Sequence, residues 1–278
     1  MAIVTFWSDS KKETAKTLSM AAIATYMAIE HNYKILEIST IHNDKTLQNC
    51  YWEEKSEDLV KQITGREQDI ASGIDGIANL SNSNKLTPEA VSNYTRLVFP
   101  NNRLEVLSGS IEADEDEYRK IRETYKDVIK TANKFYDYVF VDLNKGLKKD
   151  YIKEILKISD IVVVNMKQGI REIEHFKDLE ENQEILKKDN TLVLIGMYDK
   201  DSKYNSKNVA RALNIRGEVL TVPYNTLFFE GCNDGKIVDT IMRFRKVNQA
   251  DKNAIFLEEI KKATETIIER IKLLRTIY

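Results

Sequence analysis

Ala2-Ile-Val-Thr-Phe-Trp-Ser-Asp-Ser-Lys-Lys-Glu-Thr-Ala-Lys-Thr17 carries an apolar run, a polar stretch and the start of an alanine-rich segment that continues to His31. The run Ala2 to Trp7 reads as a buried strand, Ser8 to Thr14 as a loop, Ala15 to His31 as a helix and Tyr33 to Ser39 as a second strand. This is a βαβ unit. Its loop is unusual in one respect, because the first glycine of the chain is Gly65.

The junction Ser10-Lys-Lys-Glu-Thr-Ala-Lys16-Thr17 keeps the Lys-Thr ending of the phosphate-binding pattern G-x-x-x-x-G-K-[ST], with Ser10 and Ala15 at its glycine positions. Such a loop works by turning successive backbone N–H groups inward onto phosphate oxygens, and glycines permit the positive φ values and close approach this needs. Here Lys16 offers a point charge, Thr17 a magnesium ligand, and Lys11 and Lys12 further positive charge. Glu13 opposes them. A carboxylate at ~4 Å from a phosphate charge, at an effective dielectric of ~20, costs on the order of 4 kcal/mol. The same residues also read plainly as a polar loop capping a helix, with Lys16 solvated and Thr17 near the cap.

The 278 residues are 42% hydrophobic and 31% charged with a net charge of -2, which suits one large α/β domain spanning 1–278. No apolar run reaches the ~18 residues of a membrane-spanning helix, and the amino terminus enters a strand at once, so a cytoplasmic location is expected. Cys50 and Cys232 are far apart in sequence, and His31, His42 and His175 are the only histidines. That pattern argues against a disulfide framework or a zinc site.

Further along, Tyr51 to Arg66 is charged and mixed, Ile70 to Leu80 has helical spacing, and Thr87-Pro88-Glu89 reads as a cap and helix start. Glu115 to Lys134 is amphipathic, with Tyr118, Ile121, Tyr125, Val128, Ile129 and Ala132 on its inner face. Strands are predicted at Leu104 to Leu107, Tyr136 to Asp142, Ile161 to Val164, Thr191 to Ile195 and Glu218 to Val222. Helices are predicted at Tyr151 to Ile158, Ile173 to Lys187, Lys207 to Leu213 and Ala254 to Ile277. This alternation implies a doubly wound, mostly parallel sheet with helices on both faces. The loops Ser8 to Thr17, Ser39 to Asp44, Asp142 to Gly146 and Gly196 to Lys200 should then converge at the carboxyl ends of the strands.

Taken together, these segments resemble the MinD/ParA family of deviant P-loop ATPases over nearly the whole chain. Lys11 and Lys16-Thr17 match the family's K-G-G-x-G-K-T loop and its signature lysine, with Lys12, Glu13 and Ala15 in place of its three glycines. Gly73 to Leu80, Leu104 to Gly109 and Tyr136 to Asp142 with Gly146 are similar to its glycine-leucine helix, its serine-glycine turn and its Walker B strand. Tyr198-Asp199 with Ser202-Lys-Tyr-Asn205, and Val222-Pro-Tyr224, resemble its adenine-side and late-strand segments. On this resemblance Lys11, Lys16, Thr17 and Asp142 are the candidate nucleotide-binding residues, with Thr17 and Asp142 at magnesium. Each also has a plain reading, Lys11 as a solvent-exposed lysine and Asp142 as an acid capping the loop after its strand.

The departures carry as much meaning. Ser39, Thr40 and Ile41 stand where the family has two acids that coordinate magnesium and activate water, and Gly196 aligns near its adenine-binding asparagine. The resemblance thus implies a degenerate member, a pseudo-ATPase or very slow ATPase, similar to the TadZ and CpaE localisation proteins of Flp/Tad pilus systems. It implies a homodimer acting as a positioning or assembly factor beside a pilus or secretion machine, with ATP and Mg held weakly or not at all. An active Mg-ATP-dependent partition ATPase is the alternative. Nucleic-acid binding is disfavoured by 42 basic against 44 acidic residues, although Lys236 and Arg243-Phe-Arg-Lys246 could form a local patch. Peripheral membrane attachment through the closing helix is also disfavoured, because its polar side mixes acids with bases and its apolar stripe is suited to packing.

Overall fold

The computed structural model describes residues 1–53, 73–83, 85–98, 103–182, 186, 189–215, 217–249 and 251–277. Most of the charged stretch Tyr51 to Arg66, the start of the helix expected at Ile70, and the end of that expected at Lys187 lie outside them.

The described residues form an eight-stranded sheet of order β3-β4-β2-β5-β1-β6-β7-β8. Its strands are β1 (Ala2–Trp7), β2 (Ile35–Ser39), β3 (Arg96–Leu97), β4 (Leu104–Leu107), β5 (Tyr138–Asp142), β6 (Ile161–Met166), β7 (Thr191–Tyr198) and β8 (Leu220–Pro223). All neighbours pair in parallel except the two-residue edge strand β3, which runs antiparallel to β4. The doubly wound α/β fold expected from the sequence is the fold observed. Residues of β1, β2, β4, β5 and β6 are buried throughout, as strands covered on both faces must be.

One face is covered by α1 (Lys16–Glu30), α2 (Thr46–Asn49), α9 (Thr226–Asn233), α10 (Ile237–Phe244) and α11 (Lys252–Ile277). The other is covered by α3 (Gly73–Asn82), α4 (Pro88–Ser92), α5 (Glu115–Ala132), α6 (Lys149–Ile158), α7 (Ile170–Asn182) and α8 (Ser206–Ala212). Helix α1 is sandwiched between the sheet and α11, which its run of alanines permits: Ala21, Ala22, Ala24 and Ala28 are fully buried beside Met20, Ile23 and Met27. Helix α5 starts where Asp114 caps it by accepting from the Asp116 and Glu117 amides, at 2.9 and 3.0 Å, and it buries the whole inner face predicted for it.

The carboxyl-terminal helix is packed, not free. Phe256, Ile260, Ala263, Ile267, Ile268 and Ile271 are buried against α1 and β8, so its apolar stripe is spent within the fold. No helix among the described residues is long and apolar enough to cross a membrane. The basic patch is also partly neutralised, since Lys236 pairs with Glu53 at 2.9 Å and Arg245 with Glu30 at 2.9 Å. Cys50 and Cys232 lie far apart in sequence but side by side in the core as free thiols, and their proximity together with burial raises the Cys50 thiol.

Four elements were not anticipated: β3, only two residues long, and the short helices α2, α9 and α10. Helix α9 matters for the site, because it forms one wall of it.

Candidate functional site

Register sets the centre of the site. Asp142 ends β5 between Phe6 of β1 and Ser39 of β2, at the point where the chain's crossovers diverge to the two halves of the sheet. Its carboxylate is fully buried, accepts a hydrogen bond from Thr17 Oγ1 at 2.7 Å through Oδ2 and is ion-paired with Lys16 through Oδ1. The Lys16 ammonium also donates to the Leu143 carbonyl at 2.6 Å. The sequence reading named Lys16, Thr17 and Asp142 from positions 125 residues apart, and the fold brings them into contact.

The loop before α1 retains a strained backbone without glycine. Ala15 takes φ 51° and ψ 34°, the left-handed region, and no side chain caps the first amides of α1. Two other amides of the loop are already occupied: Ser10 N–H donates to Ser8 Oγ at 3.3 Å and Lys12 N–H to Ser10 Oγ at 3.2 Å. Serine hydroxyls thus do locally what glycine would leave to a ligand. Lys11, Lys12 and Glu13 are exposed at the mouth.

At the end of β2, Ser39 and Thr40 act as struts. Ser39 Oγ accepts from the Ile41 amide at 3.2 Å, and Thr40 Oγ1 donates to the Asp142 carbonyl at 3.0 Å while accepting from the Asn144 amide at 2.8 Å. They fix the turn after β5, whose Lys145 reaches back to donate to the Ser10 carbonyl at 2.6 Å.

These parts line a cleft of 490 Å³. Its inner end is formed by the loop, Lys16, Thr17, Asn144 and Lys145, and its outer end by Thr46, Met197, Tyr224, Phe229 and Asn233. Met197, Tyr224 and Phe229 are 42%, 58% and 46% exposed, an apolar surface open to the cleft. All four loops expected to converge reach the cleft, Ser8 to Thr17 and Asp142 to Gly146 through several residues, Ser39 to Asp44 through Ile41 and Gly196 to Lys200 through Met197.

Two adenine-side expectations are corrected. Gly196 presents nothing to the cleft: a Cβ there would lie 2.0 Å from the Thr14 carbonyl, so β7 packs its bare backbone onto the loop. Met197, at φ 52° in a bulge between β7 and β8, lines the cleft instead. Tyr198-Asp199 and Ser202 to Asn205 are structural. Gln168 donates to the carbonyls of Asp199 and Tyr204 at 2.8 and 3.0 Å, and Asn205 caps α8. Phe229, Asn233 and Lys145 were missed by sequence reading; only Lys145, lying between Asp142 and Gly146, stood in a segment already marked as part of the site.

Below the cleft, on the α1 face of β2, Glu37 is fully buried and neither carboxyl oxygen has a hydrogen bond of ordinary geometry. Burial pushes its pKa up to about 8; the neighbouring Tyr51 hydroxyl offsets part of this, and the Asp142 charge adds to it. At neutral pH it is mostly a neutral acid.

No protein-family model matches the chain, and no curated protein matches it in sequence. Solved structures do match in fold. A ParA family ATPase from Chlorobium tepidum TLS aligns with a TM-score of 0.68 at 16% identity, covering 96% of this chain and 98% of that one. The cell division ATPase MinD of Pyrococcus furiosus aligns at 0.65 and 17%, covering 96% and 99%. A plasmid partition protein of Borrelia burgdorferi B31 bound to AMPPNP aligns at 0.57 and 16%, covering 94% and 97%. At such identities the likeness establishes the fold, a doubly wound P-loop NTPase fold of the MinD/ParA type.

Proposed function

We propose that this chain is a degenerate MinD/ParA-like protein that binds ATP weakly, hydrolyses it slowly or not at all, and serves as a positioning or assembly factor. The observation that carries this reading is the contact of Lys16, Thr17 and Asp142 at the uncapped start of α1, beside a β2 end that holds hydroxyls where hydrolysis needs acids. The donor set fits a magnesium nucleotide. Lys16 and the free amides of α1 would hold the β- and γ-phosphates, Thr17 and Asp142 would hold magnesium, and the apolar outer end would take the base. Bound magnesium would neutralise phosphate charge; catalysis of phosphoryl transfer further requires a positioned water, for which Ser39, Thr40 and Ile41 supply no carboxylate.

The exposed Lys11 at the mouth suits contact with a nucleotide in a second copy, which supports a homodimer. Protein partners in a pilus or secretion machine are the reading closest to a weakly hydrolysing positioning factor. The alternative, an active partition ATPase, is favoured by one specific observation: Ala15 keeps the left-handed geometry although its glycine is gone.

Calorimetric titration with Mg-ATP and a nonhydrolysable analogue tests the reading. Saturable binding in the micromolar range, abolished by Lys16→Ala, is expected, with turnover too slow for a partition cycle. Turnover lost on Asp142→Ala would favour the alternative. Absence of binding at millimolar nucleotide would overturn both.

A further inference from the structure

We infer that Lys145 is a phosphate-binding residue that compensates for the missing glycines; the inference rests on the nucleotide reading above. Lys16 is committed in the ligand-free site, neutralised by Asp142 and bonded to Leu143. Lys145 is exposed, forms no ion pair among the described residues, and uses one donor on the Ser10 carbonyl at 2.6 Å. A lysine ammonium has three donors and no acceptor, so two donors remain on a side chain that lines the cleft.

Its position is built. The Gly146 amide donates to Asn144 Oδ1 at 2.8 Å, closing a tight turn with Lys145 at its corner. The Asn144 amide is held by Thr40, and Thr40 is held by Asp142. The Thr40 hydroxyl thus anchors the residue that clasps the loop. With Ser39 and Ile41 at the two positions where acids were expected, no carboxylate there draws Lys145 off the loop, and its charge is left for an anion. With serine hydroxyls occupying two loop amides, a cationic side chain that both fixes the Ser10 carbonyl and meets the terminal phosphates replaces part of what a glycine-rich nest supplies.

The test compares wild type, Lys145→Met, Lys145→Gln and Lys145→Arg by calorimetry with Mg-ATP, tripolyphosphate and AMP, and by hydrogen exchange of the amides of residues 11–14 without ligand. Loss of about tenfold in affinity for ATP and tripolyphosphate is expected in the Met and Gln variants, the scale of one charge-assisted hydrogen bond, with AMP unaffected and Arg restoring most of the loss. Faster exchange of the loop amides in both uncharged variants is expected as well. Wild-type ATP affinity in those variants overturns the role of Lys145 while leaving the nucleotide reading intact, and so does an equal loss for AMP and ATP. A wild-type protein that binds none of the three overturns both. Circular dichroism melts of the variants should superimpose on wild type, since the side chain is exposed.

Discussion

Ala15 shows how a residue can keep a conformation that its chemistry disfavours. A left-handed alanine is strained by roughly 1–2 kcal/mol, and it persists because Lys16, Thr17 and Asp142 lock the next turn of helix. Ala15→Gly is therefore expected to stabilise the protein by about 0.5–1 kcal/mol after the entropy of glycine in the unfolded chain is subtracted. Urea denaturation that found a loss instead would mean the loop relaxes elsewhere. Glu37 makes a second residue-scale case. Its folded pKa lies near 8, above the ordinary carboxylate value of 4.5, so between those limits the folded protein holds a proton that the unfolded chain releases. Its contribution to stability is complete below about pH 4.5 and falls as pH rises toward 8, by on the order of 5 kcal/mol at most. Glu37→Gln should gain on wild type steadily between pH 5 and 8 in denaturation series. Parallel curves would show that the acid is ionised in the fold.

Among the elements, β7 and α11 carry the sharpest consequences. Strand β7 touches the loop before α1 through Gly196, and a methyl group at that position would overlap the Thr14 backbone carbonyl. Gly196→Ala should cost about 3 kcal/mol and, on the nucleotide reading proposed above, abolish nucleotide binding, because the loop must move outward. A variant of unchanged melting temperature and affinity would disprove the contact. For α11, Ile267→Ala should cost about 3 kcal/mol, as expected for a buried aliphatic, and the wild-type protein should not sediment with anionic vesicles. Vesicle binding by the folded protein would require this helix to leave its groove. These elements also show what sequence can reveal. Periodicity located α5 and α11 because each presents one long apolar face to one layer. It could not find α9, whose Phe228 and Cys232 are buried while Leu227 and Phe229 are exposed, so hydrophobicity does not mark its inner face.

Across the whole molecule, the mostly parallel sheet and the meeting of Lys16, Thr17 and Asp142 were legible because a buried parallel strand is a continuous apolar run and its end must face the loops. The outer wall of the cleft was not. It depends on where a bulge turns Met197 inward and on how the short helix α9 folds back, and neither leaves a periodic trace. The resemblance aligned Gly196 near a base-binding position by counting along the chain; the bulge instead puts the next residue, Met197, at the cleft.

The sheet ends in two short strands. On one side β3 offers two residues running against the rest, and on the other β8 has four, closes with Pro223, which lacks an N–H, and is overlain by α11. Among the described residues, neither margin gives an incoming chain a run of free amides and carbonyls long enough to zip onto. Edges this short disfavour open-ended β fibrils built by strand addition.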